Sequence, residues 1–120
     1  MRFLIVDDSE TSQAIIQSVV TSMGHKVAGI AVNGRDALEK FTSLQPDVVV
    51  LDVIMPVVNG LDALKDIRSR DPNALVIMIS STRSPQTALE CQQAGASFFL
   101  YKSMLMTDLP KIIHKIQTQA

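Results

Sequence analysis

The sequence predicts an α/β fold: an open, five-stranded parallel sheet with helices on both faces. Short apolar runs alternate with amphipathic stretches along the 120 residues, and residues that stop or start helices fall between them. Two of the runs, Val48-Val49-Val50-Leu51 and Leu75-Val76-Ile77-Met78-Ile79, are apolar throughout. Strands of that kind are covered on both faces, as in a parallel sheet flanked by helices. A closed β/α barrel needs eight units, so five leave the sheet open. With 47% hydrophobic residues, the chain is expected to form one compact domain over residues 1–120.

The elements follow in order. Strands are expected at residues 2–6, 26–31, 47–51, 75–79 and 97–101. The first helical pattern carries Ile15, Ile16, Val19, Val20 and Met23; the second Ala37, Leu38 and Phe41; the third Leu61, Leu64 and Ile67. The fourth carries Ala88 and Leu89, and the fifth Leu109, Ile112, Ile113 and Ile116, a one-face stripe at helical spacing. Gly24 and Gly95 stand where helix ends call for a left-handed residue. Pro46 and Pro72 follow helices they cannot continue, and Ser84-Pro85 supplies an N-cap and a first-turn proline.

Charge and cysteine content exclude several functions. Eleven basic residues against twelve acidic ones leave a net charge of -1, so no broad positive field exists and direct nucleic-acid binding is not expected. The single Cys91 cannot form an internal disulfide, which suits a reducing compartment. The opening run Phe3-Leu4-Ile5-Val6 ends at Asp7-Asp8, and nothing approaches the length of a membrane helix. A cytoplasmic location is expected.

Ligands of an open parallel sheet bind outside the carboxyl ends of its strands. The polar residues that end the apolar runs are Asp7-Asp8, Asp52, Ser80-Ser81-Thr82 and Lys102. Three carboxylates at one edge repel one another and either raise some pKa values or recruit a cation, and hard oxygen ligands suit Mg2+. A lysine and a hydroxyl beside them complement a dianionic group. Asp52 ends the most uniformly apolar strand, so it is expected to be the most rigid of the three acids and the nucleophile of a phosphoryl transfer.

Asp7-Asp8, the run Asp52-Val53-Ile54-Met55-Pro56-Val57-Val58-Asn59-Gly60, Ser80 and Lys102 together resemble the receiver domain of two-component response regulators over nearly the whole chain. The resemblance implies a flavodoxin-like doubly wound fold with strand order 2-1-3-4-5, and a phosphoryl group taken from a phosphohistidine on a sensor histidine kinase or phosphotransfer protein. It implies that Asp52 is the phosphoacceptor, that Asp8, Asp52 and the backbone carbonyl of Ile54 hold Mg2+, and that Asp7 supports the ion through water. Ser80 and Lys102 would contact the phosphoryl oxygens, and Phe99 would be the aromatic switch. The output would pass through the surface of helix four, strand five and helix five to a downstream effector protein or attached output domain. Such a domain is not an enzyme in the usual sense, since it catalyses only its own phosphorylation and slow dephosphorylation.

Four departures from the family pattern are visible. Ser103 stands where a proline usually follows the lysine, and a cis bond before a non-proline residue costs about 2.5–4 kcal/mol, so a trans or locally strained peptide is expected. Phe99 lacks the hydroxyl of the commoner tyrosine, while Tyr101 shares its face two residues on. Ser81 replaces a small residue without closing access. Ile54 is apolar where a polar side chain would orient water, which implies a long-lived acyl phosphate.

Other residues read more plainly. His25 and His114 are expected at the surface, Cys91 as a small packing residue, and Asn59-Gly60 as a turn before helix three. Met104 and Met106 suit either an adaptable docking surface or loop packing. Three competing functions share the architecture: a phosphorylation-independent interaction module, an Asp-nucleophile phosphatase and a flavin-binding electron carrier. The intact acids with Ser80 and Lys102 argue against the first. Ser9 in place of a second acid, and the absence of room for a cap domain, argue against the second; an acidic turn that would repel a flavin phosphate argues against the third. A stand-alone regulator and the receiver part of a longer chain both fit.

Overall fold

A computed structural model describes residues 1–55 and 57–119; Pro56 of the loop motif lies outside the described residues, as does Ala120. Five strands alternate with five helices: β1 (Arg2–Val6), α1 (Glu10–Ser22), β2 (Lys26–Ala31), α2 (Gly34–Leu44), β3 (Val48–Asp52), α3 (Gly60–Arg70), β4 (Leu75–Ser80), α4 (Pro85–Gln93), β5 (Phe98–Tyr101) and α5 (Leu105–Gln119). A short 3-10 turn, Lys102–Met104, joins β5 to α5. The sheet is wholly parallel in the order β2-β1-β3-β4-β5. The expected strands are all present; β3 and β4 each run one residue further, so that Asp52 and Ser80 end strands instead of beginning loops.

The pleat divides the core in two. Phe3, Ile5, Val48, Val50, Ile77 and Ile79 face α1 and α5, where Ile16, Val20, Leu109 and Ile113 close over them. Leu4, Val6, Val49, Leu51, Val76 and Met78 face the other way, toward Ala37, Ala63, Leu64, Ile67 and Cys91. Every residue of β3 is buried, as the apolar run requires of the central strand.

Helix ends carry the local chemistry that sets these boundaries. Ser9, Asn33, Asn59 and Ser84 each cap a helix by accepting from the backbone N–H three residues on. Gly24 and Gly95 adopt φ of 85° and 100°, as expected of left-handed helix ends. Gln45 takes the same role at φ 48° after α2, which sequence reading missed because a non-glycine there carries no signal.

Leu89, part of the apolar pattern of helix four, is exposed, while Cys91 is the buried packing residue of α4, as expected. One expectation fails: His25 is not a free surface side chain. It is half-buried beside the Phe3 ring, with Nδ1 2.9 Å from the amino terminus and Nε2 2.7 Å from the Gln117 amide. His114 is exposed as expected, and no described helix is long and apolar enough to cross a membrane.

The amino-terminal pole of the sheet is held by Arg68. Its guanidinium donates to the carbonyls of Gly95 (2.7 Å), Pro72 (2.9 Å) and Ala74 (2.7 Å), tying the end of α3 to the approaches of β4 and β5. Replacing Arg68 by Ala leaves these acceptors without their donor and is expected to cost about 2–3 kcal/mol, read from chemical denaturation. Burial and the neighbouring amino terminus hold the His25 pKa below its ordinary value. Its contribution to stability is therefore present above the ordinary imidazole pKa and lost as pH falls through the folded one. The stability of the wild type is expected to fall more steeply than that of His25→Gln between about pH 7.5 and about pH 5.5.

Candidate functional site

Strand polarity brings the ends of β1, β3, β4 and β5 to one edge of the sheet, and the two-residue pleat then sorts their side chains. Asp7, Asp52 and Lys102 continue the rows of Phe3 and Ile5, of Val48 and Val50, and of Phe98 and Leu100, on the α1/α5 side. There the Lys102 ammonium bridges the two acids, 3.0 Å from Asp7 Oδ2 and 2.9 Å from Asp52 Oδ2. Ser80, Phe99 and Tyr101 continue the opposite rows.

Each acid is fixed by its own surroundings. Asp7 is fully buried; its Oδ1 accepts from the Ser9 N–H at 2.8 Å, just before α1, and its backbone carbonyl accepts from the Gln13 amide at 2.7 Å. Asp7 Oδ2 has no hydrogen-bond partner of good geometry among the described residues, only the Lys102 charge. Asp52 is 3% exposed, with Oδ1 accepting from the Ile54 N–H at 3.3 Å. Asp8 is exposed beside them, and one ligand atom from each of the three acids lies within 4.8 Å of the others. Asp52 ends the central strand of the sheet, and Asp7, against the first turn of α1, is buried still more completely.

Burial pushes the Asp52 carboxyl above its ordinary pKa; the Lys102 hydrogen bond opposes this in part, and the Asp7 charge adds to it. Burial also opposes the Lys102 charge, but hydrogen bonds and attraction from Asp52 and Asp7 outweigh it and hold the ammonium above its ordinary value. One cation thus serves a cluster of three acids. Negative charge is left over, and the buried Asp7 Oδ2 meets only the ammonium it shares with Asp52, so the donor set fits a hard divalent cation.

Ser80 is buried at the end of β4, and its hydroxyl is engaged by Thr82, with no hydrogen bond to Asp52 or Lys102 among the described residues. It donates to the Thr82 carbonyl and accepts from the Thr82 N–H, both at 3.1 Å. Phe99 and Tyr101 meet edge to face at 5.2 Å, as their shared row implies. The Lys102–Ser103 peptide is trans, so the missing proline is accommodated without a cis bond. Leu105 is buried, whereas Met104 and Met106 are exposed, so loop packing claims neither methionine fully.

Gly60 was read only as part of a turn, and the structure gives it more. A Cβ at Gly60 would lie 2.0 Å from the Asp52 carbonyl oxygen, so only glycine lets α3 start against the backbone of the acid-bearing strand. The sequence offered one signal, the Asn-Gly pair, and that signal reads equally well as a plain turn. In the same loop, Val57 holds φ 70°, a left-handed backbone that costs a β-branched residue about 1–3 kcal/mol.

A family model described as the response regulator receiver domain matches residues 3–114. The chain belongs to the receiver domain family. This receiver domain is 38% identical over 115 residues to the chemotaxis protein CheY of Thermotoga maritima, covering 96% of each chain. It is 42% identical over 114 residues to a protein-glutamate methylesterase/protein-glutamine glutaminase of Methanosarcina mazei, covering 93% of this chain but only 32% of that protein. Among solved structures, the CheX-CheY-BeF3-Mg+2 complex from Borrelia burgdorferi superposes with a TM-score of 0.85 at 29% identity, over 94% of this chain and 89% of that one. Two-component signalling is the setting these relatives indicate. Receiver domains bind Mg2+ at an acidic cluster of the kind that Asp7, Asp8 and Asp52 form here.

The unbalanced charge predicts a stability effect. Asp52→Asn removes one acid from the cluster and leaves Lys102 paired with Asp7. Without divalent cations this variant is expected to be about 1 kcal/mol more stable than the wild type at neutral pH by urea denaturation.

Proposed function

We propose that all 120 residues act as one receiver domain that accepts a phosphoryl group on Asp52 from the phosphohistidine of a sensor histidine kinase or phosphotransfer protein. The observation that carries this reading is the Lys102 ammonium held between Asp7 and Asp52 at the edge where the strands end. Asp8, Asp52 and the Ile54 carbonyl would hold Mg2+, with Asp7 supporting it through water, and the ion would supply charge neutralisation at the transferred group. A carboxylate oxygen of Asp52 forms the new O–P bond as the N–P bond of the phosphohistidine breaks. The bonding pair stays on the imidazole nitrogen, which then takes a proton from solvent. Asp52 needs no general base when it attacks as the carboxylate, whose oxygens carry no proton to remove.

Lys102 and Ser80 are the groups that would meet the added phosphoryl oxygens. Lys102 is already in place, whereas Ser80 must leave Thr82 to do so. The phosphoryl group adds nearly two charges and three acceptors, which bias a two-state equilibrium involving Ser80 and the Phe99 ring. Moving such an equilibrium from 1:99 to 99:1 takes about 5.5 kcal/mol, so a few charge-assisted hydrogen bonds shift it in part. The α4-β5-α5 surface would carry the change to an effector or attached output domain, in a cytoplasmic setting.

Incubation with acetyl phosphate and Mg2+ is expected to add the mass of one phosphoryl group to the intact protein, and Asp52→Asn or removal of Mg2+ by chelation is expected to abolish the gain. Persistence of the gain in Asp52→Asn would move the acceptor elsewhere. The Ile54 side chain, 59% exposed beside Asp52, presents an apolar surface where attacking water must be oriented. Ile54→Asn is expected to shorten the acyl-phosphate lifetime about tenfold. Matched decay rates would exclude a role for this side chain.

A further inference from the structure

Arg83 has no role in the chemistry above, yet it joins the two segments that must move. It lies between Ser80 and α4, in the loop of residues 81–84. Its guanidinium lies over the Tyr101 ring, 5.4 Å from the centroid, and Nη2 donates to Ser103 Oγ at 2.8 Å. No carboxylate among the described residues pairs with it. Tyr101 is the register partner of Ser80 across β4 and β5, and its ring stands against Phe99. Arg83 therefore fastens the loop that carries Thr82, the partner of the Ser80 hydroxyl, to the end of β5. The Ser103 bond exists only because this position, where the family usually has proline, carries a hydroxyl.

We propose that Arg83 is a positioning residue whose clasp on Tyr101 and Ser103 restrains Ser80 in the setting bonded to Thr82. The proposal rests on the reading of Asp52 as the phosphoacceptor. For the Ser80 hydroxyl to reach a phosphoryl group on Asp52, the Thr82 turn must open, and the loop can shift only if Arg83 gives up its two contacts. An equilibrium that must reach a minor state lowers the apparent reactivity by the fraction of that state, so weakening the clasp speeds phosphorylation.

The test compares wild type with Arg83→Gln, Ser103→Ala and the double variant. In the unmodified proteins, hydrogen exchange at the Thr82 amide is expected to be roughly five- to tenfold faster in each variant. The rate of mass gain from acetyl phosphate and Mg2+ is expected to rise about three- to tenfold, with the double variant no faster than Arg83→Gln, since Arg83→Gln already removes the Ser103 contact. Ser103→Ala decides the matter, because it keeps every charge and leaves attraction of the anionic donor unaltered. Tyr101 is the sole tyrosine in a chain without tryptophan, so its fluorescence reports the clasp directly. The signal is expected to change on phosphorylation of the wild type and to change less in Arg83→Gln. If the wild type gains mass at a rate that Ser103→Ala does not raise, the clasp is overturned and the acceptor reading stands. If the wild type gains no mass, both fall.

Discussion

One ammonium group decides how this sheet edge can exist. Asp7 and Asp52 are carried into the interior by strands whose burial the core demands, and two buried carboxylates side by side repel each other strongly. Lys102, arriving from β5 on the far side of β4, makes the pair tolerable. Removing Lys102 would leave both buried carboxylates uncompensated, a loss that typically costs about 3–5 kcal/mol. The compensation is incomplete, since one cation faces three acids. That shortfall gives the edge its affinity for further positive charge, and it is why the cluster reads as a site and not as a structural ion pair.

The pleat supplies the second constraint. Residues two apart share a face, so the row that places Asp52 beside Lys102 sends Ser80, Phe99 and Tyr101 to the opposite side. The acid cluster and the row of Ser80, Phe99 and Tyr101 thereby lie on opposite faces of the sheet at the same edge. Of the residues in α4, only Cys91 is buried, and Leu89 faces solvent.

Much of this was legible in the sequence, for identifiable reasons. Continuous apolar runs mark two-sided burial, so β3 and β4 were readable, and the polar residue ending each strand pointed to the edge where Asp7, Asp8, Asp52 and Lys102 gather. The order of the strands came from resemblance, because pairing in a parallel sheet is non-local and leaves no periodicity to read. The failures share a cause. The His25 assignment treated a side chain by its type, whereas its neighbours from distant segments decide its burial; His25 is claimed by Phe3 and Gln117. The need for Gly60 likewise depends on the approach of a backbone eight residues back, and the direction of the Ser80 hydroxyl on a local turn that competes with the site.

The opposite pole behaves differently under changing conditions. Arg68 binds neutral carbonyl groups and no acid, and a guanidinium stays charged throughout the physiological range. Salt that screens opposite charges has little purchase on such contacts, and acidification does not discharge them. The acid cluster, in contrast, is built of carboxylates and an ammonium, whose attraction protonation of the acids would weaken. The molecule therefore has an inert foot and an excitable head, and a disturbance introduced at the head has a fixed base to push against.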